Sequence, residues 1–365
     1  MIEYAVIPYV LARALFRGAR WAVALDLALL ALAAYALSSL AAPSIALLML
    51  PYALAVFLVP RGALRGYAGI AAAVSAVGAV YMAQPQPHLK ALGYLLATSA
   101  PGALIAARPE KDDLEALFRY LIVSAVSNSL VIAGLSSGGP LGSLLIFSGV
   151  LTELAAFPAY MWAPDVYGRA APEGLVLLSS LTKLASALAL MLMPMSPSAA
   201  AALAVGAASM AVGNLGALTS KDFRRVLAYA AVAQAGFAAF AYPIDKALAA
   251  FLIFADAVGA AGLFAHLSSG GPRWAVWALA LNQVGAPPLI GFWPKLVLFI
   301  EAARMYGAAG AAYLLANIAL MIPYYARLAS QSQPGGDPRS AAAALASMAV
   351  GAVAPLWFIH VLSLL

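Results

Sequence analysis

Cysteine is absent from all 365 residues, which excludes disulfides, cysteine-ligated iron–sulfur clusters and cysteine zinc sites. Charge is scarce: Asp, Glu, Lys and Arg make up 9% of the chain, against about a quarter of a soluble domain. Histidine occurs three times. His88 falls in a loop, and His266 and His360 near opposite membrane faces on the crossings counted below, so no pair is placed to hold a haem. No soluble domain is visible, nor any linker longer than about a dozen residues, so any catalytic domain must come from another chain. Apolar residues supply 65% of the sequence, leaving too few polar ones to cover the outside of a water-soluble fold. The composition is that of a polytopic membrane protein.

A helix needs about 20 apolar residues to cross the hydrocarbon, and unpaired backbone is excluded from lipid, so spans must be helical. The chain divides into thirteen such blocks. They are Trp21–Leu40, Pro43–Val59, Gly66–Ala83, Leu89–Ala107, Ala116–Gly134, Leu141–Trp162, Glu173–Met193, Ser198–Leu218, Val226–Tyr242, Ala247–Leu267, Trp274–Arg304, Ala308–Arg327 and Ser340–Leu364. The expected class is therefore an all-α polytopic membrane protein. Residues 1–20 form a short apolar stretch closed by Arg13, Arg17 and Arg20, which fits an interfacial helix or a stunted first span and raises the expected count from 13 to 14 helices.

Alternating crossings from Trp21 place Arg13, Arg17, Arg20, Arg61, Arg65, Arg108, Lys111, Arg119, Arg169, Lys221, Arg224, Arg225, Arg273, Arg327 and Arg339 on one side. That is fifteen of twenty basic residues, the asymmetry expected of inner loops. It puts the C-terminus outside. The inner segment Arg108–Phe118 reads as a loop feeding a helix capped by Asp112, with Glu115 three positions on. Its charges, like those of Lys221–Arg225, read as a solvated inner face.

Four ionisable residues remain near the centres of spans: Glu153, Lys183, Asp256 and Lys295. Each charge at mid-membrane costs about 2.5–3.5 kcal/mol, and Lys183, about ten residues from either end, cannot snorkel out. Two acids and two bases allow pairing, and structural ion pairs would be the plain reading of one such pair. Four on four different spans point instead to a hydrated proton or ion path. Pro158 follows Glu153 by five residues, and Pro287, Pro288 and Pro294 precede Lys295 on a block too long for one straight crossing. Proline removes a helix hydrogen bond and frees a carbonyl about one turn back, and paired Pro-broken spans point to a transport site at the midplane.

The runs ELAAFPAYMWAPDVYGRAAP (Glu153–Pro172) and LSSLTKLA (Leu178–Ala185) resemble the signature of the antiporter-like subunits of respiratory complex I. GNLGALTSKDFRRVLAYAAVAQAGF (Gly213–Phe237) and GAPPLIGFWPKLVLF (Gly285–Phe299) follow in the family's order. The form Trp162–Tyr167 is similar to that of the N-type subunit. The resemblance covers Asp113 to Phe299 well and the flanks weakly. It implies a fourteen-helix fold with two inverted five-helix repeats, each with a Pro-broken helix, here 66–194 and 198–328. N-terminal helices over 21–83 and a C-terminal helix over 340–364 would flank them. It also implies a buried relay coupled to quinone reduction in partner subunits of the membrane arm, which would hold the quinone and iron–sulfur clusters, with no cofactor in this chain. By position Lys183 matches the family's central lysine and Lys295 the lysine of the second broken helix. In two respects the chain departs from the pattern. Glu153 stands where the family has lysine, and Leu89–Ala107 lacks the family's glutamate. Either Glu153 pairs with Lys183 and merges both roles or the entry half of the path is closed, and Asp256 is expected to compensate Lys295.

The expected function is a proton-translocating, non-redox subunit of a donor:quinone oxidoreductase, multi-pass in a prokaryotic plasma membrane among lipids and other membrane-arm subunits. Two competitors remain. One is a subunit of a multi-subunit sodium/proton antiporter or membrane-bound hydrogenase. The other is a non-conducting spacer, which would have no need of lysines at the midplane.

Overall fold

The computed structural model describes residues 9, 22–40, 50–59, 63–106 and 110–362, so the expectation for the first twenty residues lies almost wholly outside it. Each of the thirteen apolar blocks carries a helix, in whole or in part. In chain order these are α1 (Ala22–Leu40), α2 (Leu50–Leu58), α3 (Ala63–Met82), α4 (Pro87–Gly102), α5 (Lys111–Ser137), α6 (Gly139–Glu153) and α7 (Trp162–Arg169). Then come α8 (Pro172–Leu192), α9 (Ala199–Thr219), α10 (Phe223–Ala241), α11 (Lys246–Ser269), α12 (Arg273–Val284), α13 (Phe292–Gln331) and α14 (Arg339–Leu362). Five of them, α5, α8, α9, α11 and α13, are long and apolar enough by themselves to cross a membrane. Helices α8 and α11 lie almost wholly inside the protein, whereas α5, α9 and α13 expose most of their apolar surface. The first pair therefore forms the interior, and the second faces lipid or neighbouring chains.

Helix α13 is two limbs. Gly307 adopts φ 66° and ψ −163°, which ends the helix there, and Lys295 and Met321 on either side of it come within 3.8 Å. Twenty-six residues of straight helix would separate them by about 39 Å, so the limbs fold back antiparallel. The gap expected between Arg304 and Ala308 is this glycine turn.

Glycines set how closely neighbouring helices approach. A Cβ added at Gly236 on α10 would lie 2.6 Å from the Met210 nitrogen and 2.7 Å from the Gly206 carbonyl on α9. One added at Gly206 would lie 2.6 Å from the Phe240 nitrogen. Gly78 and Gly93 stand in the same reciprocal relation between α3 and α4. Backbone rather than side chain meets backbone at these points, as small residues allow in membrane helices. Gly236→Leu must therefore push α9 and α10 apart, at a cost of about 3 kcal/mol. A melting temperature unchanged from the unmodified protein would contradict this close crossing.

Among the described residues, several basic side chains off the midplane bind carbonyls at helix ends. Arg327 donates to the carbonyls of Ala217 (3.1 Å) and Ser220 (2.8 Å) at the end of α9. Lys90, on the side expected to be poor in positive charge, donates to Met82 and Leu192 carbonyls at 2.8 and 2.9 Å. It thereby satisfies the exposed carbonyls at the ends of α3 and α8, where the helix dipole favours a cation. In the loop before α14, hydrogen bonds from the Arg339 guanidinium hold the Asp337 carboxyl below the usual carboxylate range. This tie is present above the ordinary carboxylate pKa and is lost only as pH falls through the lowered value.

The start of α5 differs from expectation. Glu110, not Asp112, occupies the cap position, and no side chain caps the helix. Asp112 and Asp113 lie in the first turn, where negative charge suits the helix dipole. Asp113 accepts the Ala171 N–H at 2.8 Å, which ties α5 to the start of α8. Glu115 joins a closed ring of ion pairs instead of a capping box. Arg119 binds Glu115 and Asp165, and Arg169 binds Glu115 and Asp165 at 3.1 Å each. The ring joins α5 to α7 and is partly exposed, as expected of a solvated face.

Candidate functional site

Each of the two broken stretches places a charge. Helix α6 ends at Glu153, and the chain turns through Ala155 at φ 59° before resuming in α7. Trp162 at the start of α7 donates its indole N–H to the Thr152 carbonyl at 3.0 Å, bridging the break. Helix α12 ends at Val284, Gly285 takes φ 95°, and α13 begins at Phe292. Asn282 spans that break. Its side chain accepts from the Gly291 N–H at 2.9 Å and the Ser347 hydroxyl at 2.8 Å, and donates to the Ala255 carbonyl at 3.1 Å. Asn282→Leu would leave three buried polar groups without that partner, at about 1–3 kcal/mol for each that finds no other. The expected result is a clear drop in melting temperature, and an unchanged one would show that the break holds without this amide.

Glu153, Lys183, Asp256 and Lys295 are 5%, 6%, 3% and 6% exposed, so none reaches the surface. The Tyr120 hydroxyl on α5 lies 2.6 Å from Glu153 Oε1 and 2.9 Å from the Thr98 carbonyl on α4. Around it the Tyr94 hydroxyl meets Ser127 at 2.9 Å, and Ser127 donates to the Gly149 carbonyl at 2.8 Å. Tyrosines and hydroxyls thus occupy the region between α4 and α6 where the resemblance led to the expectation of a glutamate–lysine pair.

Lys183 follows a π-helical turn, Leu178–Thr182. Ser180 donates to the Val176 carbonyl at 2.6 Å and Thr182 to that of Leu178, back-bonding that competes with the regular helix ladder. The lysine Nζ donates to Asp256 Oδ2 on α11 at 2.5 Å. Asp256 Oδ1 accepts from Gln283 Nε2 on α12 at 3.0 Å. The Gln283 carbonyl in turn accepts from Lys295 Nζ and from Gln234 Nε2, the latter at 3.0 Å. Lys295 Nζ also lies 3.3 Å from the Val284 carbonyl and 5.2 Å from the Phe237 ring centre. Hydrogen bonds therefore link Lys183, Asp256, Gln283 and Lys295 in series, through the Gln283 side chain on one side and its main-chain carbonyl on the other.

Two expected pairings are exchanged. Lys183 pairs with Asp256, not with Glu153, whose partner is Tyr120. Lys295 has no carboxylate within 4 Å among the described residues and rests on main-chain carbonyls. The reason lies in the prolines. A helical carbonyl at 283 or 284 would bond the N–H four residues on, but positions 287 and 288 are both proline and have none. The freed oxygens accept the ammonium, and Asp256 is left to Lys183. Tyr120, Gln234, Asn282 and Gln283 were not singled out in the sequence. Their signal was a polar uncharged side chain inside an apolar block, which also marks ordinary packing contacts.

The family model described as "NADH:quinone oxidoreductase/Mrp antiporter, TM" matches residues 111–273, which hold Glu153, Lys183, Asp256 and the ion-pair ring. NADH-quinone oxidoreductase subunit N 1 of Solidesulfovibrio magneticus is 32% identical over 72% of this chain and 69% of its own length. The chain belongs to this family. NADH-quinone oxidoreductase subunit 14 of Thermus thermophilus is 31% identical over 69% of this chain and 66% of its own length, so the chain aligns with about two thirds of these N-type relatives. In fold the protein is similar to a chain of respiratory complex I from Thermus thermophilus, with a TM-score of 0.80 over 98% of both chains at 24% identity.

Proposed function

We propose that the chain is a proton-translocating membrane-arm subunit of a complex I-like quinone oxidoreductase. It would perform no redox chemistry itself and lie in the plasma membrane of a prokaryote with its C-terminus outside. Quinone and iron–sulfur clusters would belong to partner subunits, and the two broken helices would mark inverted repeats over 66–194 and 198–328. The observation that carries the reading is the buried chain from Lys183 to Lys295, four hydrogen-bonded residues on four helices that a purely structural interior has no need of. Glu153 takes and releases a proton on one side of it, and Lys295 passes protons outward on the other. Two unit charges 4 Å apart at an effective dielectric of 20 interact by about 4 kcal/mol, more than the roughly 2.3 kcal/mol per charge of a 100 mV potential. A charge change at Asp256 is therefore able to drive a proton from Lys183, its ion-pair partner.

The family description also names Mrp antiporters, so the partner is what separates the readings. Affinity capture of the tagged chain from native membrane in mild detergent, with mass spectrometry of what accompanies it, tests this. Quinone-site and iron–sulfur subunits are the expected companions. Cation-antiporter subunits alone, or no partner, would overturn the assignment.

A further inference from the structure

Gln283 is hydrogen-bonded to both charged centres, and among the described residues no other is. Its side-chain amide donates to Asp256 Oδ1 at 3.0 Å and to the Asp256 carbonyl at 3.2 Å. Both acceptors are oxygens, which fixes the amide with its nitrogen towards Asp256. Its own carbonyl is freed by Pro287 and accepts from Lys295 and Gln234, filling both lone pairs. With Lys183 on Oδ2, each oxygen of the Asp256 carboxylate is also committed. The residue is 1% exposed and lies in the last turn before the break at Gly285.

We propose that Gln283 is a positioning residue of the relay, fixing the Asp256 carboxylate against Lys183 with its side chain while its main chain seats Lys295. The inference rests on the proton-relay reading and adds to it the part that joins the two lysines. Glutamine suits the task because its amide donates to a carboxylate and does not titrate, so it holds the two centres at fixed separation without exchanging a proton with either. A glutamate here would set a second carboxyl beside Asp256 and favour the protonated form of both lysines. An apolar residue would leave Asp256 Oδ1 without its donor.

The test uses the intact assembly in proteoliposomes, with quinone reduction followed by absorbance and proton uptake by a pH-sensitive dye across a range of pH. Gln283→Leu is expected to lower translocation by about tenfold or more, within the scale for a reacting group displaced by about 1 Å, while quinone reduction stays uncoupled and active. The nearly isosteric Gln283→Glu is expected to assemble and to move the pH profile of translocation alkaline by about 1–3 pH units, a change that simple loss of packing would not produce. Asp256→Asn combined with Gln283→Leu should pump no worse than Asp256→Asn alone. If both Gln283 variants keep the unmodified profile while Lys183→Met and Lys295→Met lose translocation, the role of Gln283 is overturned and the relay stands. If all four pump normally, the relay reading itself falls.

Discussion

Lys183→Met is expected to destabilise the protein by about 3–5 kcal/mol, because it strands the Asp256 carboxylate in a buried site without its cation. The loss is read as reduced yield of intact assembly on native gels and a lower melting temperature. Removing both charges has a different outcome. Lys183→Met with Asp256→Leu replaces the pair by apolar side chains of similar length, and such exchanges are often neutral or stabilising. The double variant should therefore melt at or above the unmodified protein and fail to translocate protons. This separates a stabilising ion pair from a working one. A double variant that is stable and still pumps would place the pair among spacer features.

The second large effect concerns the inverted charge at Glu153. Glu153→Lys introduces the residue type that the resemblance implies there, yet it should cost about 3–5 kcal/mol, since the site offers an ammonium no carboxylate. Its surroundings are the Tyr120 hydroxyl, Tyr94, Ser127 and the Thr98 carbonyl. Adding Tyr94→Glu on α4 supplies the missing acid and replaces a bulky ring by a shorter side chain. The pair Tyr94→Glu with Glu153→Lys should recover most of the lost stability. A single Glu153→Lys variant as stable as the unmodified protein would mean that acid or water already reaches this position.

Much of this protein was legible from its residues. Apolar blocks marked every described helix from α1 onward except α7, which falls between two of them, because in a membrane-embedded fold apolarity alone reports burial in lipid or protein. The prolines after Glu153 and before Lys295 marked both breaks for a local reason, the missing N–H. What composition did not reveal was pairing. Asp256 lies 73 residues from Lys183, and nothing local to either residue says that α8 and α11 bring them together while Lys295 settles on carbonyls. The cap of α5 was misassigned by two residues, because Glu110, Asp112 and Asp113 are all acids suited to a helix start. The ion-pair ring draws on Glu115, Arg119, Asp165 and Arg169, whose association depends on how α7 packs against α5 after the break.

The central claim is that protons cross the membrane through this chain by way of Glu153, Lys183 and Lys295. The most direct measurement is the number of protons translocated per quinone reduced in proteoliposomes containing the intact assembly, compared between the unmodified protein and Glu153→Gln, a neutral and nearly isosteric change that leaves Tyr120 a partner. The account predicts a lower ratio at an unchanged rate of quinone reduction. An equal ratio would contradict it and return the buried charges of this chain to a structural role.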